Sequence, residues 1–287
     1  MLGLFLTMIA SRRAFSTTAA RSFLSKFSKY VVDANPGEFV VKPLVKPIGL
    51  VTPPTSTTVY SMGNSFKELF DKEKTEKRSE ELGLEFNKSG MYDMFIFRKT
   101  NGKLFKSPKS YWKAEKALYF PHIVGDSVKG KTENVEDLLK GKLSVVQVFT
   151  SEIGNELAST SLKSESQDLD YLGKDFKTLE TLNSQIVHLN LIDSKLKSIL
   201  FKTFSMGKLR NSIPEYLQST YLLCDRSQLP FAVRELLKIN NAYTGFTMLV
   251  DPNLKIRWMC SGSATEDEFK TLWKNVRGIS KEFTESK

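Results

Sequence analysis

Side chains that could carry nucleophilic, acid–base or metal chemistry are scarce in this chain of 287 residues. It contains two cysteines, Cys224 and Cys260, and two histidines, His122 and His188. The cysteines form no CxxC pair and no cluster with a histidine, which argues against a zinc site and a dithiol redox motif. Both lie in apolar runs and are interpreted as buried thiols on strands, although the sequence leaves a disulfide between them open. No metal ion or cofactor is therefore predicted.

The stretch VVQVFTSEIGNELA, residues 145–158, has the pattern of an apolar strand that runs into a turn and a helix. Many α/β enzymes hold a reactive group at such a junction, but this one contains no cysteine, histidine or lysine. His188 lies within another apolar run and is interpreted as a core histidine rather than a base. The segments GNELAST and SMGKLRNS lack a phosphate-loop pattern, so a nucleotide site is not supported. The sequence therefore predicts no catalytic residue.

The elements that would position these residues follow a regular order in residues 131–287. Apolar runs predict buried strands at residues 144–150, 185–192 and 221–225. Helices are predicted after Asp193 and between Pro230 and Asn240, and the stretch GFTMLVDPNLKIRWMCSG reads as a hairpin. A last helix is predicted to begin with a capping box of Ser263 and Glu266 and to end before Gly278. Parallel crossovers followed by a hairpin and a helix predict an α/β fold, with a mixed sheet flanked by helices.

Composition and charge restrict the partners of this domain. The chain is 40% hydrophobic, which is enough for a sizeable core, and carries a formal net charge of +10. Five of the positive charges lie in residues 1–32, so the remainder has a net charge of +5. No basic stripe with aromatic platforms is present, which argues against nucleic-acid binding. The modest positive surplus suits an anionic surface such as the inner-membrane leaflet.

The first two segments of the chain have distinct compositions. Residues 1–32 are rich in arginine, serine, threonine and alanine and contain no acidic residue, which is typical of a mitochondrial transit peptide. A disordered basic tail is the alternative. Residues 33–62 are rich in proline and are predicted to form an extended arm or linker, because proline denies the backbone the donors that helices and central strands need.

Residues 63–130 combine a charged segment with an aromatic and basic one. A solvated helix is predicted from Ser65 onward, followed by a hairpin-like turn at Asn101 and Gly102. Aromatic residues then alternate with lysines in a stretch that we call the aromatic-basic tract. Its candidate contact residues for a client protein or membrane are Lys109, Tyr111, Trp112, Lys113, Lys116, Tyr119, Phe120 and His122. Aromatic side chains anchor interfaces and lysine stems snorkel at bilayers, but an ordinary half-buried helix fits the same pattern.

The carboxyl-terminal hairpin carries a resemblance to a known fold. The stretch TMLVDPNLKIRWMCSG resembles the hairpin of thioredoxin-like proteins, in particular their peroxiredoxin-like branch, with Leu254 where a glycine is usual. That resemblance implies a reactive cysteine just after the first strand, within residues 150–157. Those positions are Thr, Ser, Glu, Ile, Gly, Asn, Glu and Leu. A thioredoxin-like domain that lacks its redox cysteines is therefore expected in residues 131–287.

A closer resemblance covers most of the chain. The proline-rich arm, FDKEKTEKR, PKSYWKAEKALYFPHIVG and the thioredoxin-like half together resemble the ATPase complex subunit ten family of mitochondrial ATP synthase assembly factors. The resemblance implies a peripheral inner-membrane protein on the matrix side, which helps a newly made proton-channel subunit to join the rotor ring. Such a chaperone would be non-catalytic, with no nucleic acid and no small-molecule substrate. The alternative hypothesis is a thiol oxidoreductase or peroxidase that uses Cys224 or Cys260.

Overall fold

A computed structural model describes residues 39–60, 91–193 and 206–285. Three predictions fall outside these ranges: the leader at residues 1–32, the charged helix that begins near Ser65, and the helix after Asp193.

The described residues contain short and long elements. The strands are β1 (Lys42–Pro43), β2 (Phe105–Lys106), β3 (Leu118–Tyr119), β4 (Val124–Ser127), β5 (Thr132–Asn134), β6 (Leu143–Phe149), β7 (Lys163–Ser164), β8 (Leu169–Asp170), β9 (Ser184–Ile192), β10 (Tyr221–Asp225), β11 (Phe246–Val250) and β12 (Lys255–Ser261). The α-helices are α1 (Met91–Thr100), α2 (Val135–Leu139), α3 (Glu152–Ser159), α4 (Thr178–Thr181), α5 (Met206–Ser212), α6 (Phe231–Leu236) and α7 (Glu266–Glu285).

The largest sheet within the described ranges has eight strands in the order β3-β12-β11-β6-β9-β10-β4-β5. Strands β6, β9 and β10 run parallel to one another, whereas β11 pairs antiparallel with β6 and β12 antiparallel with β11. Parallel strands with helical crossovers, a hairpin and a final helix form the mixed, thioredoxin-like arrangement that the sequence predicts. The fold class is thereby confirmed.

Apolar clusters cover both faces of this sheet. Every residue of β6 and of β11 is buried. Val146 and Met248 belong to the cluster on one face, and their neighbours Val145 and Leu249 belong to the cluster on the other face, which includes the apolar side of α7. Strands covered on both faces carry near-continuous apolar runs, which is why the sequence pattern locates them well.

The start and the end of α7 differ from the prediction. Glu268 N donates to Thr265 Oγ1 at 3.3 Å, and Thr265 N donates to Glu268 Oε2 at 3.0 Å, so Thr265 and Glu268 form the capping box. The predicted box of Ser263 and Glu266 is wrong. The helix also continues through Gly278 to Glu285, because residues beyond the glycine extend its apolar contacts with the core.

The turn at Asn101 and Gly102 ends a helix and does not join two strands. Both residues have left-handed backbone angles, with φ of 50° and 78°, and Gly102 N donates to Phe97 O at 3.0 Å. A left-handed residue with such a bond is a common end of an α-helix. The predicted hairpin-like turn is therefore wrong, since α1 precedes it.

The sheet and the arm extend the domain toward the amino terminus. Strands β3 and β4, which lie before residue 131, belong to the same sheet as β6. The described part of the proline-rich arm, residues 39–60, packs against the domain: Leu50 bridges Tyr119 of β3, and Ile48 is buried. In the same arm, β1 pairs with β2 in a separate two-stranded sheet. No helix within the described ranges is long and apolar enough to span a bilayer.

Candidate functional site

The junction between β6 and α3 is where the resemblance would locate a reactive thiol. Ser151 caps α3 instead: its Oγ accepts a hydrogen bond from Gly154 N at 3.1 Å and donates to Tyr243 O at 3.4 Å. A serine or threonine at this position satisfies backbone donors that the helix leaves unpaired. The hydroxyl at the junction therefore has a structural use.

Two glycines close the same junction from the opposite side. A Cβ atom on Gly154 would lie 2.9 Å from Thr244 O, and one on Gly245 would overlap the carbonyl group of Gly154. The backbone of α3 and the backbone before β11 are thus in direct contact. No space for a side chain remains between them at this point.

The two cysteines lie away from that junction and are inaccessible. Cys224 is on β10 and Cys260 on β12, and both are buried and form no disulfide. Strands β11, β6 and β9 separate them in the sheet. Burial raises the pKa of the Cys260 thiol to about 12, so this sulfur is held in its unreactive protonated form. The interpretation of both residues as buried thiols on strands is confirmed.

The histidines also occupy buried positions. His188 is the core histidine that the sequence predicts; its ring stacks on Tyr221 with the centroids 5.4 Å apart, and its Nδ1 has no hydrogen-bond partner among the described residues. Burial lowers the pKa of His188 to about 4. His122 Nδ1 lies 2.5 Å from Glu136 Oε1, and His122 N donates to the hydroxyl of Tyr60 in the arm. In the described ranges no three His, Cys, Asp or Glu residues are grouped so as to bind a metal ion.

The first half of the aromatic-basic tract is fastened to β12 by Arg257. Arg257 Nε donates to Trp112 O at 2.6 Å, and Trp112 N donates to Arg257 O at 2.8 Å. The guanidinium also lies over the ring of Tyr111, 5.2 Å from its centroid. Residues 111–117 form extended backbone and a turn, so the alternative of a half-buried helix is not observed.

Arg257 is itself part of a buried charge cluster that the sequence did not reveal. Its side chain is 1% exposed and pairs with Asp251 at 3.0 Å and with Glu282 of α7 at 2.9 Å. Glu282 also accepts a hydrogen bond from the Tyr111 hydroxyl at 2.6 Å. The available signal was one charged residue inside the apolar run IRWMC, because a buried cation on a strand needs a carboxylate partner.

The turn before β12 positions the aspartate of this cluster. Asn253 N and Lys255 N both donate to Asp251 Oδ1, at 2.9 and 3.0 Å, which leaves Oδ2 for Arg257. Leu254 adopts a left-handed φ of 66°, so it supplies the conformation for which glycine is usual. The departure from the family pattern at Leu254 therefore does not prevent the turn.

The second half of the tract lies deeper. Phe120 is 1% exposed and His122 is 8% exposed, and both belong to the interior of this domain. Tyr119 is partly exposed, and the amino group of Lys255 lies 5.1 Å from its ring centroid. The side chains of Lys109, Lys113 and Lys116 are exposed to solvent. The surface available to a client or a membrane thus consists of the three lysines with the outer edges of Tyr111, Trp112 and Tyr119.

Known proteins are similar to this chain over most of its length. The family model described as ATP10 protein matches residues 29–279. A mitochondrial ATPase complex subunit ATP10 of Candida glabrata is 49% identical over 269 residues, which cover 93% of this chain and 96% of that protein. The protein of the same name from Saccharomyces cerevisiae is 45% identical over 276 residues, which cover 93% of this chain and 98% of that protein.

Solved structures are similar to part of the chain. A secreted thiol-disulfide isomerase from Corynebacterium glutamicum gives a TM-score of 0.37 at 12% identity and covers 61% of this chain and 92% of that chain. A yeast mitochondrial 1-Cys peroxiredoxin gives a TM-score of 0.35 at 12% identity and covers 57% of this chain and 77% of that chain.

Proposed function

This chain belongs to the ATP10 protein family, and from that premise we propose that it is a non-catalytic assembly factor of the mitochondrial ATP synthase. The observation that carries the proposal is the similarity along nearly the full length of relatives that are named mitochondrial ATPase complex subunits. Such a protein acts in mitochondria and contacts subunits of the enzyme that it helps to assemble.

The finer proposal concerns the client. The protein holds a newly made proton-channel subunit of the membrane sector until that subunit joins the rotor ring, and it does so at the matrix face of the inner membrane as a peripheral protein. The aromatic-basic tract supports this role, since Lys113 and Lys116 face solvent beside partly exposed aromatic rings. Lysines in this position can interact with anionic headgroups while the rings contact apolar segments.

The lack of a reactive group at the β6–α3 junction supports a binding role over an enzymatic one. Residues 150–157 contain no cysteine, Ser151 is used as a helix cap, and the thiol of Cys260 is buried with a raised pKa. The thiol oxidoreductase alternative is tested by the double variant Cys224→Ala, Cys260→Ala. We expect this variant to support ATP synthase assembly, because the proposed role needs no thiol. Loss of assembly together with lost peroxide or disulfide turnover, in a variant that still folds, would favour the alternative.

The direct test is cross-linking of the chain to newly labelled mitochondrial translation products. A photoreactive amino acid is inserted at Lys113, and the matched control carries it at Lys129, which is equally exposed at the turn between β4 and β5. We expect capture of a newly made proton-channel subunit from position 113 and not from position 129. Capture of soluble catalytic-head subunits alone would contradict the proposed client, and equal capture from both positions would contradict the proposed surface.

Targeting is tested by import of the full chain into isolated mitochondria. The composition of residues 1–32 supports a cleavable leader, so we expect a shorter, protease-protected product after import. An unprocessed protein that stays in the cytosol would contradict the proposed location.

A further inference from the structure

A cleft of about 430 Å³ lies between residues 109–111 and α7, beside the aromatic-basic tract. Four cationic side chains line it, and its lining contains no carboxylate. The lining residues are Lys109, Ser110, Tyr111, Lys274, Asn275, Arg277, Gly278 and Lys281.

The spacing along α7 gathers these charges on one side of the cleft. Lys274, Arg277 and Lys281 lie three and four residues apart and are exposed, so they are neighbours on one helix face. Lysines 109, 274 and 281 have no ion-pair partner among the described residues. Burial raises the pKa of Tyr171, and the nearby positive charge of Arg277 opposes that rise. Like charges at this spacing repel one another, so their repulsion is relieved when an anion binds.

A buried amide in the wall of the cleft lacks a partner. Asn275 is 4% exposed, and its Nδ2 has no hydrogen-bond partner in the described part of the chain. A buried polar group without a partner is costly, and an absent ion is one of the few explanations for it. The amide thus leaves an unused N–H donor, with its positive partial charge, in the wall of the cleft.

The opposite wall is held in place before any ligand binds. The hydroxyl of Tyr111 donates to Glu282, and the ring lies under Arg257. Glu282 is the nearest acidic group in this cluster, and its two oxygens already interact with Tyr111 and Arg257. The backbone of Gly278 faces the same ring: a Cβ atom there would lie 3.4 Å from Cε1 of Tyr111. The absence of a side chain at residue 278 keeps the cleft open.

We propose that this cleft binds a phosphate group. Lysine is a point charge that suits phosphate, and the arginine fork can form two parallel hydrogen bonds with its oxygens. The phosphate belongs either to the headgroup of an anionic phospholipid or to a small soluble phosphate compound. If the phosphate belongs to a lipid, the cleft contributes to the membrane attachment proposed above and rests on that proposal. If the phosphate belongs to a soluble compound, the inference is independent of the proposed function.

The test uses the full chain and two variants with equal loss of charge. Lys274→Gln combined with Lys281→Gln removes two cations from the cleft. The control, Lys129→Gln combined with Lys208→Gln, removes two exposed lysines near the opposite edge of the sheet. Binding is measured by calorimetry with inorganic phosphate and by flotation with vesicles of phosphatidylcholine, alone or mixed with cardiolipin. Thermal unfolding of each variant establishes that it folds.

We expect the cleft variant to bind roughly thirtyfold more weakly than the control, because each lysine near an anionic surface contributes on the order of 1 kcal/mol. Weakened binding to cardiolipin vesicles alone assigns the phosphate to a lipid, and weakened binding to inorganic phosphate assigns it to a soluble compound. Equal affinity of the cleft variant and the control for both probes would overturn the proposal. ATP synthase assembly, measured separately in mitochondria, distinguishes this outcome from failure of the proposed function.

Discussion

The β6–α3 junction and the aromatic-basic tract border the same sheet but dispose their polar groups in opposite ways. At the junction, the hydroxyl of Ser151 and the backbone around Gly154 and Gly245 are used within the protein. At the tract, Arg257 holds the backbone and the aromatic rings inward, and the lysines remain in solvent. The region where the resemblance would locate a reactive group thus contains no thiol, and the exposed lysines of the tract lie elsewhere.

This difference indicates what the scaffold contributes. A reactive site needs an accessible, activated group, and residues 150–157 contain no thiol. The tract combines aromatic side chains that are fixed by Arg257 with exposed lysines, which are the features that the proposed binding surface needs. The two regions thus differ in whether their polar groups are used within the protein or left in solvent.

The largest expected effect comes from removal of the cation that anchors the tract. In Arg257→Met the aliphatic volume is kept, but Asp251, which is 0% exposed, loses its ion partner. Loss of one member of a buried pair costs about 3–5 kcal/mol of the free energy of unfolding. Urea unfolding of the purified chain measures this loss of stability. Lys131→Met is the control, because Lys131 forms an ion pair with Glu133 but its side chain is exposed. A loss similar to that of the control would show that Arg257 is not the anchor.

The close contact between the backbone of α3 and the backbone before β11 is tested by a side chain at Gly245. The new Cβ of Gly245→Ala would overlap the carbonyl of Gly154, so α3 and β11 must separate. Overpacking of this kind costs about 1–3 kcal/mol, and a contact with backbone belongs at the upper end. Gly207→Ala is the matched control, since no heavy atom lies within 4 Å of its added Cβ and alanine favours the helix. Equal unfolding midpoints for the two variants would contradict the closed packing.

A pH dependence should originate near the junction, at His188. Its folded pKa of about 4 is below the ordinary value of 6.5, so the neutral ring contributes stability that is present above pH 6.5 and is lost as the pH falls toward 4. The contribution is about 3 kcal/mol. His188→Phe keeps an aromatic ring against Tyr221 and should lose this part of the pH dependence, measured by urea unfolding at several pH values. Parallel curves for both proteins between pH 6.5 and 4 would contradict the assignment.

The smallest effect on stability is expected at the exposed side of the tract. Lys113→Glu with Lys116→Glu should change the free energy of unfolding by less than about 0.5 kcal/mol, because neither side chain is buried. The same variant should dissociate from mitochondrial membranes at a lower salt concentration than the unchanged protein. Extraction of the membranes with increasing salt measures this difference. Lys109 is left unchanged because it lines the cleft beside α7. Unchanged extraction and unchanged assembly would remove the two lysines from the proposed surface.

Local patterns predicted the long central elements closely. The strand predicted at residues 185–192 is observed as β9, Ser184–Ile192. The strand predicted at residues 221–225 is observed with the same bounds as β10, Tyr221–Asp225. These strands are buried on both faces, so their apolar runs are uninterrupted. The errors at α7 and at Asn101 arose where several polar residues could cap or turn the chain, because the choice among them depends on contacts with distant segments such as Lys103 with Glu268.

The candidate site was predicted only in part. The tract was recognised from its alternating aromatic residues and lysines, but burial of Phe120 and His122 depends on β3, β4 and the arm, which pair over long distances in the chain. The partners of Arg257 come from the turn before β12 and from the end of α7. No local spacing relates these residues to Tyr111 and Trp112.

By itself the sequence determined the order of the main strands and helices, the lack of a thiol in residues 150–157 and the composition of the tract, because each depends on neighbouring residues. The tertiary structure alone decided which aromatic residues are buried, which carboxylates neutralise Arg257 and which cations share a cleft with Asn275. Those outcomes depend on burial and on distances between segments that are remote in the chain, and the free energy of a polar group is set by the partners that the fold brings to it.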